Sequence, residues 1–309
     1  MRRWIYRVGA ILTLLAVAFW WLMLEGRSPA SAPEEYDLAS YRAMIADDDE
    51  NLPIELRIET VGTDVAPGFA AETGNFGSDF HLAYTALQIS WPDQNIVIGG
   101  AADEATAEEM EQSSQQAQFD QSAYDRITRA MTTASQVLIT HEHLDHVMAI
   151  ARHPDPAALA PNLRLSQGQL DAMPQFAIDG ELAPEIAGVT PIDASAARRI
   201  APGVVLVPSA GHSPNSQSFY IRLANGTEYL LIGDIVWQMT NIDTLRTRPR
   251  LLQYLMFDPN EDRPRVLAQV RALHDMREAN PELVIVPSHD RIYLEGLVET
   301  GNLVQGFAP

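Results

Sequence analysis

A chain of 309 residues that is 46% hydrophobic and 20% charged has enough apolar material to bury a sizeable core without covalent or metal staples. Its net charge of −20, from 41 acidic against 21 basic residues, repels phosphate backbones and argues against nucleic acid as substrate or partner. The absence of cysteine removes disulfides, thiolate zinc sites and a cysteine nucleophile together, and suits an oxidising compartment.

Arg2, Arg3 and Arg7 precede an uncharged run from Val8 to Leu24, which Trp4, Ile5 and Tyr6 extend toward the start. A run of this length exceeds a signal-peptide core of about 7–15 residues and reaches the lower range of a spanning helix. Trp20 and Trp21 fall near its far end, where aromatic rings favour the membrane interface. Ala30-Ser31-Ala32 resembles a cleavage site, but Pro33 follows and blocks the peptidase. Residues 1–27 are therefore expected to be a retained anchor, with residues 4–24 in the lipid bilayer. The arginines before the helix keep the N-terminus cytoplasmic. The rest then lies outside the cytoplasm, in the periplasm of a bacterial cell.

Residues 28–50 are Pro-, Ala- and acid-rich and read as a tether, with Asp47-Asp48-Asp49-Glu50 as solvated linker. Residues 51–309 form the folded domain. Ile54 to Glu59 alternates apolar and charged residues as a half-buried strand does. His81–Ser90 and Asn95–Ile98 follow as a strand pair around the turn Trp91-Pro92-Asp93-Gln94. The spacing predicts helices over Asp103–Gln118 and Asp120–Thr133, then a short buried strand at Val137–Thr140. Later strands are expected at Val204–Val207, Ser218–Leu223, Glu228–Ile232 and Leu283–Val286. A helix is expected over Arg263–Glu278, with Val266, Val270 and Leu273 on one face. Arg246, Arg248 and Arg250 read as a solvated loop rather than as a basic groove.

Chemistry concentrates in Thr140-His141-Glu142-His143-Leu144-Asp145-His146, directly after a buried strand. Residues two apart in extended chain point to the same side, so His141 and His143 can share one ion. Where the chain turns into a helix, Asp145 and His146 aim at a neighbouring position. Imidazole and carboxylate together suit zinc and similar divalent metals. His212, in Gly211-His212-Ser213-Pro214-Asn215-Ser216, Asp234 after Gly233, and His289, in Pro287-Ser288-His289-Asp290, each lie at or just past a predicted strand's C-terminal end. Side chains from several strands can converge there.

These motifs resemble the metallo-β-lactamase superfamily, in order, from about Ile54 to His289. The resemblance implies an α+β fold, a four-layer αββα sandwich with the metals at one edge of two packed sheets, here preceded by one transmembrane helix. It implies that residues 51–309 are a catalytic domain, and that His141, His143 and His212 hold one metal. Asp145, His146 and His289 would hold the other, and Asp234 would bridge them. Two ions about 3.5–4 Å apart share and acidify a water, and the resulting bridging hydroxide attacks a small-molecule substrate. Asp145 is the candidate proton shuttle. Zinc fits these donors best, although manganese and iron accept similar ligands.

Within the superfamily the spacing is closest to the lactonase and esterase-like branch, so an ester, lactone or related small molecule is the expected substrate. Class B β-lactamases usually place a Cys in the second site, and this chain has none. Three positions depart from the lactonase pattern. Trp237 stands where acyl-homoserine lactonases carry a Tyr three residues after the bridging Asp. Gly99-Gly100-Ala101-Ala102-Asp103 replaces a usual Asp-x-Gly, and Asn215 replaces a Gly. Of the remaining histidines, His274 reads as a surface residue, His153 as structural, and His81, beside the Gly74–Phe80 loop, as packing. Trp237, Tyr254, Met256 and Phe257 read as core packing, with an apolar substrate pocket as the alternative. The alternative activities are a phosphodiesterase with the same metals, a mononuclear iron dioxygenase acting on a thiol or persulfide, and a relic that keeps the fold without catalysis.

Overall fold

The computed structural model describes residues 2–33, 35–48, 50–111, 116–255 and 260–308. Met256 and Phe257, expected near a substrate pocket or in the core, lie outside the described residues.

Eleven strands are described: β1 (Glu55–Pro67), β2 (Asp79–Ser90), β3 (Asn95–Ile98), β4 (Gln118–Phe119), β5 (Gln136–Leu138), β6 (Arg198–Ala201), β7 (Val204–Pro208), β8 (Gln217–Arg222), β9 (Glu228–Gly233), β10 (Val284–Pro287) and β11 (Val304–Gln305). The first sheet runs β11-β1-β2-β3-β5, with β4 also on β1, and the second runs β10-β9-β8-β7-β6. Period-two alternation decides which residues face where. Ile96 and Ile98 point into an apolar layer shared with Leu206, Phe219 and Leu231 of the second sheet, whereas Val97 between them points the other way. Val97 meets Ile127 and Met131 of the helix Gln121–Thr133, on the outer face of the first sheet. On the far side, Val205, Val207, Tyr220 and Leu230 pack under Val270 and Leu273 of the helix Arg263–Ala279. Helices thus cover both outer faces of two packed sheets, the layering that the resemblance implies.

Most expected elements appear within a residue or two, including the turn in which Trp91 N donates to Gln94 O at 2.9 Å. The main correction concerns 28–50. Leu38–Met44 is a helix whose Leu38 and Tyr41, followed by Ile45, are buried against the second sheet. Asp48 pairs with Arg199 and accepts from Gly203 N at 2.9 Å, so it is not solvated linker. Apolar residues at 38, 41 and 45 have helical spacing, and a face that apolar is held by the core it covers. At the N-terminus, a helix covers Arg2–Phe19 and a wider turn continues it through Trp20–Leu24. Arg3–Leu24 is long and apolar enough to cross a membrane, and its most apolar stretch is unburied.

Candidate metal centre

Three strands of the second sheet end at one edge: β9 and β10 are parallel, and β7 runs the same way because β7 and β9 each pair antiparallel to β8. His212 follows β7, Asp234 follows β9, and His289 follows β10. The His141–His146 segment comes to the same edge from β5, and Gln217 N donates to Thr140 O at 2.6 Å across the two sheets. Two glycines make the approach possible. Gly233 adopts φ +58, and a Cβ there would lie 3.0 Å from Thr140 Cβ. A Cβ on Gly100 would lie 2.3 Å from the His146 carbonyl oxygen, so the unusual Gly99-Gly100 loop lets the motif helix Leu144–Ala151 pack down.

All seven expected ligands meet there. Donor atoms lie within 4.8 Å of one another in three groups: His141, His143 and His212; His141, His146 and Asp234; and Asp145, His146 and His289. Nε2 of His289 lies 2.9 Å from Asp234 Oδ2 and 3.3 Å from Asp145 Oδ2. Nε2 of His146 lies 3.3 Å from Asp234 Oδ1, and Nε2 of His212 lies 3.7 Å from Asp234 Oδ2. Asp234 thus touches both halves of the cluster.

Donor chemistry and burial fit divalent metal binding. His141 Nε2, His146 Nε2 and Asp234 Oδ1 are buried and make no hydrogen bond among the described residues. Buried polar atoms normally have partners, so three orphans in one cluster mark a place for a ligand. The opposite ring nitrogens are occupied. Nδ1 of His289 lies 2.9 Å from Ala83 O, a carbonyl that can only accept, so this nitrogen carries a proton and Nε2 is the nitrogen turned toward the cluster. Thr140 Oγ1 lies 3.1 Å from His141 Nδ1 and 3.3 Å from His146 Nδ1, and its two lone pairs can accept from both.

Charge is distributed unevenly. Burial holds the His141 and His143 imidazoles below their usual range, favouring the neutral form that binds metal. For Asp234, burial opposes ionisation, but His289, His141 and His146 outweigh it and keep the carboxyl well below the usual range. For His289, burial opposes protonation, but Asp234 and then Asp145 outweigh it and lift the ring to about 9. His212 falls to about 3, through burial first and the neighbouring Arg248 second.

Arg248 corrects the sequence reading. It is buried rather than solvated, its Nη2 lies 2.7 Å from His212 Nδ1, and it pairs with buried Glu261. Its guanidinium also lies 4.7 Å over the Trp237 ring. The signal was one Arg among three at alternate positions, which carries no direction. Glu142 is also part of the frame: Ser213 Oγ donates to it at 2.8 Å and Asn215 Nδ2 at 2.9 Å. The Asn that replaces a glycine in the His212 loop therefore ties that loop to the motif. Trp237 is half-buried, stacked on Phe80, with its Nε1 donating to Asp234 Oδ2 at 3.0 Å. Tyr254 is exposed beside Trp21 and does not pack in the core. His153 is bonded to Thr128 O, and His274 is half-buried on Ile242 O rather than free on the surface. His81 is not in any of the three donor groups.

No family model matches the chain, and no curated protein matches it by sequence. Solved structures do match. An N-acyl homoserine lactone hydrolase with the product N-hexanoyl-L-homoserine bound at its catalytic metal centre is 16% identical, with a TM-score of 0.57 over 79% of this chain and 96% of that one. A quorum-quenching N-acyl homoserine lactone lactonase is 16% identical, with a TM-score of 0.57 over 79% and 95%. A structure described as a probable metal-dependent hydrolase from Staphylococcus aureus is 14% identical, with a TM-score of 0.58 over 78% and 90%. Two sheets packed face to face, helices outside both, and a histidine–aspartate cluster at the shared edge agree with that likeness: the chain has the metallo-β-lactamase fold.

Proposed function

We propose that the protein is a dinuclear, zinc-dependent hydrolase of an ester, lactone or related small molecule. The observation that carries this reading is a largely buried cluster of five imidazoles and two carboxylates in which His141 Nε2, His146 Nε2 and Asp234 Oδ1 make no hydrogen bond among the described residues. His141, His143 and His212 would hold one cation, Asp145, His146 and His289 the other, with Asp234 between. Cations bound there would polarise the substrate carbonyl and lower the pKa of a shared water toward neutrality. Lactone hydrolysis by proteins of the same fold supports the substrate class.

The chain's own groups do the rest. Asp234 is held in place by Trp237 Nε1 and His289 Nε2. Asp145 is the more accessible carboxylate, with a side chain 15% exposed against 4% for Asp234. The oxygen of Asp145 that a cation leaves free would therefore be the atom placed to take a proton from the attacking water and return it to the leaving oxygen. Thr140 and the Ala83 carbonyl fix three of the imidazoles, so the donors need not reorganise during turnover.

In the cell, the same reading puts Arg3–Leu24 across a bacterial inner membrane, with the domain on its periplasmic side. The test is metal analysis of the detergent-solubilised full chain, followed by paired assays with lactone, carboxyl-ester and phosphodiester substrates. Two zinc per chain with carboxyl-ester or lactone turnover is expected. A single iron with oxygen uptake overturns the hydrolase, and turnover of the phosphodiester alone overturns the substrate class.

A further inference from the structure

The large exposed apolar side chains include a group that is not scattered. Phe76, Tyr254 and Leu255 are 56%, 59% and 60% exposed, and their segments flank the end of the N-terminal helix. Phe76 lies 6.3 Å from Phe19 and 5.9 Å from Phe69, ring to ring, and Tyr254 lies 6.2 Å from Trp21. Trp20 and Trp21 are themselves exposed beside them. An apolar patch of this kind marks a surface that meets something other than water.

No slack separates helix and domain at this point. Thr247 N donates to Gly26 O at 3.1 Å, Ser28 N to Leu245 O at 2.9 Å, and Thr73 N to Thr247 O at 2.9 Å. The first of these bonds comes two residues after Leu24, so whatever surrounds Leu24 also reaches the loops that carry Phe76, Tyr254 and Leu255. The cations gather at the same place. Arg250 lies 4.6 Å over the Trp21 ring and pairs with Glu25, while Arg27 and Arg246 pair through their backbones. Arginines beside an aromatic belt suit a phospholipid headgroup layer, and they are conspicuous in a chain of net charge −20.

We propose that Phe76, Tyr254 and Leu255, with Trp20 and Trp21, form a face that docks the folded domain directly on an anionic phospholipid bilayer. The proposal rests on reading Arg3–Leu24 as a membrane span. It also sets where the metal centre sits. Phe80 is four residues from Phe76, at most about 14 Å of chain, and Phe80 stacks on Trp237, which bonds Asp234. The cluster therefore lies close above the headgroups rather than out in bulk solvent.

The chain's lack of cysteine makes the test clean. Phe76→Cys, Leu255→Cys, Val17→Cys and Ile54→Cys are each made in the full chain and labelled with an environment-sensitive fluorophore. Ile54, 47% exposed, precedes β1 at the end away from the Phe76 hairpin, about 40 Å off by strand rise. The proteins are reconstituted in phosphatidylethanolamine–phosphatidylglycerol vesicles containing doxyl-labelled phosphatidylcholine. Labels replacing Phe76 and Leu255 are expected to lose emission and shift to the blue, as the label replacing Val17 does, while that replacing Ile54 does neither. Quenching at Val17 with Phe76 and Leu255 behaving like Ile54 overturns the docking face and leaves the span. No quenching at Val17 overturns the span and the face with it. Exchanging phosphatidylglycerol for phosphatidylcholine should weaken quenching at Leu255 but not at Val17, and equal quenching in both lipids overturns the anionic requirement.

Discussion

The indole Nε1 of Trp237 donates to Oδ2 of Asp234 at 3.0 Å, the oxygen that His289 Nε2 approaches to 2.9 Å from another strand end. A carboxylate between two donors is oriented before any ligand arrives. Trp237→Phe keeps an aromatic ring against Phe80 and removes the donor. It is expected to weaken metal binding by about 10–100-fold, the usual effect of losing such an outer partner. Chelator competition on the full chain reads this, and unchanged affinity would reduce Trp237 to packing.

His146 belongs to two of the three donor groups, together with Asp234 in one and with Asp145 and His289 in the other. His146→Ala is expected to bind one zinc against an expected two for the unaltered chain, with most turnover lost. Thermal unfolding supplies a second readout, because ions that bind only the folded state stabilise it by about 2.7 kcal/mol at a hundredfold excess over Kd. Zinc should raise the melting temperature of the unaltered chain more than that of His146→Ala. Equal shifts would remove the second metal position.

Arg248 and Glu261 form a buried ion pair behind His212. Glu261 is held down to about 2: burial raises it, but Arg248 first and His212 next outweigh that cost. Arg248→Met leaves the buried Glu261 carboxylate to the more distant Arg263, 4.0 Å away, and about 3–5 kcal/mol of stability is expected to go. Adding Glu261→Gln removes the stranded charge and should recover much of the loss. Urea unfolding of both variants checks this, and a double variant no more stable than the single one would show that the pair is not the source.

Asp48 gives a pH signature remote from the metal centre. Its hydrogen bonds with Arg199 hold the carboxyl below its usual range against the opposing effect of burial, and Gly203 N adds to this. A depressed folded-state pKa contributes stability above the unfolded value near 3.9, and that contribution is lost as pH falls through the folded value. Because Arg199 is 45% exposed, the contribution is about 0.5–1 kcal/mol. Asp48→Asn should therefore unfold more easily than the unaltered chain at neutral pH, and the two should converge only in acid, as pH falls below the depressed folded-state value. A gap that persists in acid would assign the effect to packing.

How much was legible follows from the range of each signal. The His141–His146 motif, Asp234 and His289 were readable because metal donors are few in kind and each sits beside a strand whose apolar run is local. The helix at Leu38–Met44 was hidden by its acidic, proline-bearing surroundings, although Leu38, Tyr41 and Ile45 had the spacing. Arg248 and Glu261 were hidden for another reason. They are thirteen residues apart on either side of a helix, and nothing local says that both turn inward toward His212.

By itself, the sequence determined the sheet-forming runs, the His141–His146 motif and the apolar N-terminal helix, because each depends on residues within a few positions of one another. Only the tertiary structure decided that Asp234 lies between the two halves of the cluster, that Arg248 is buried behind His212, and that Phe76 and Tyr254 flank Phe19 and Trp21. Those relations join residues tens to hundreds of positions apart. They follow from how strands order themselves in two sheets, and that order is set by the packing of the whole core.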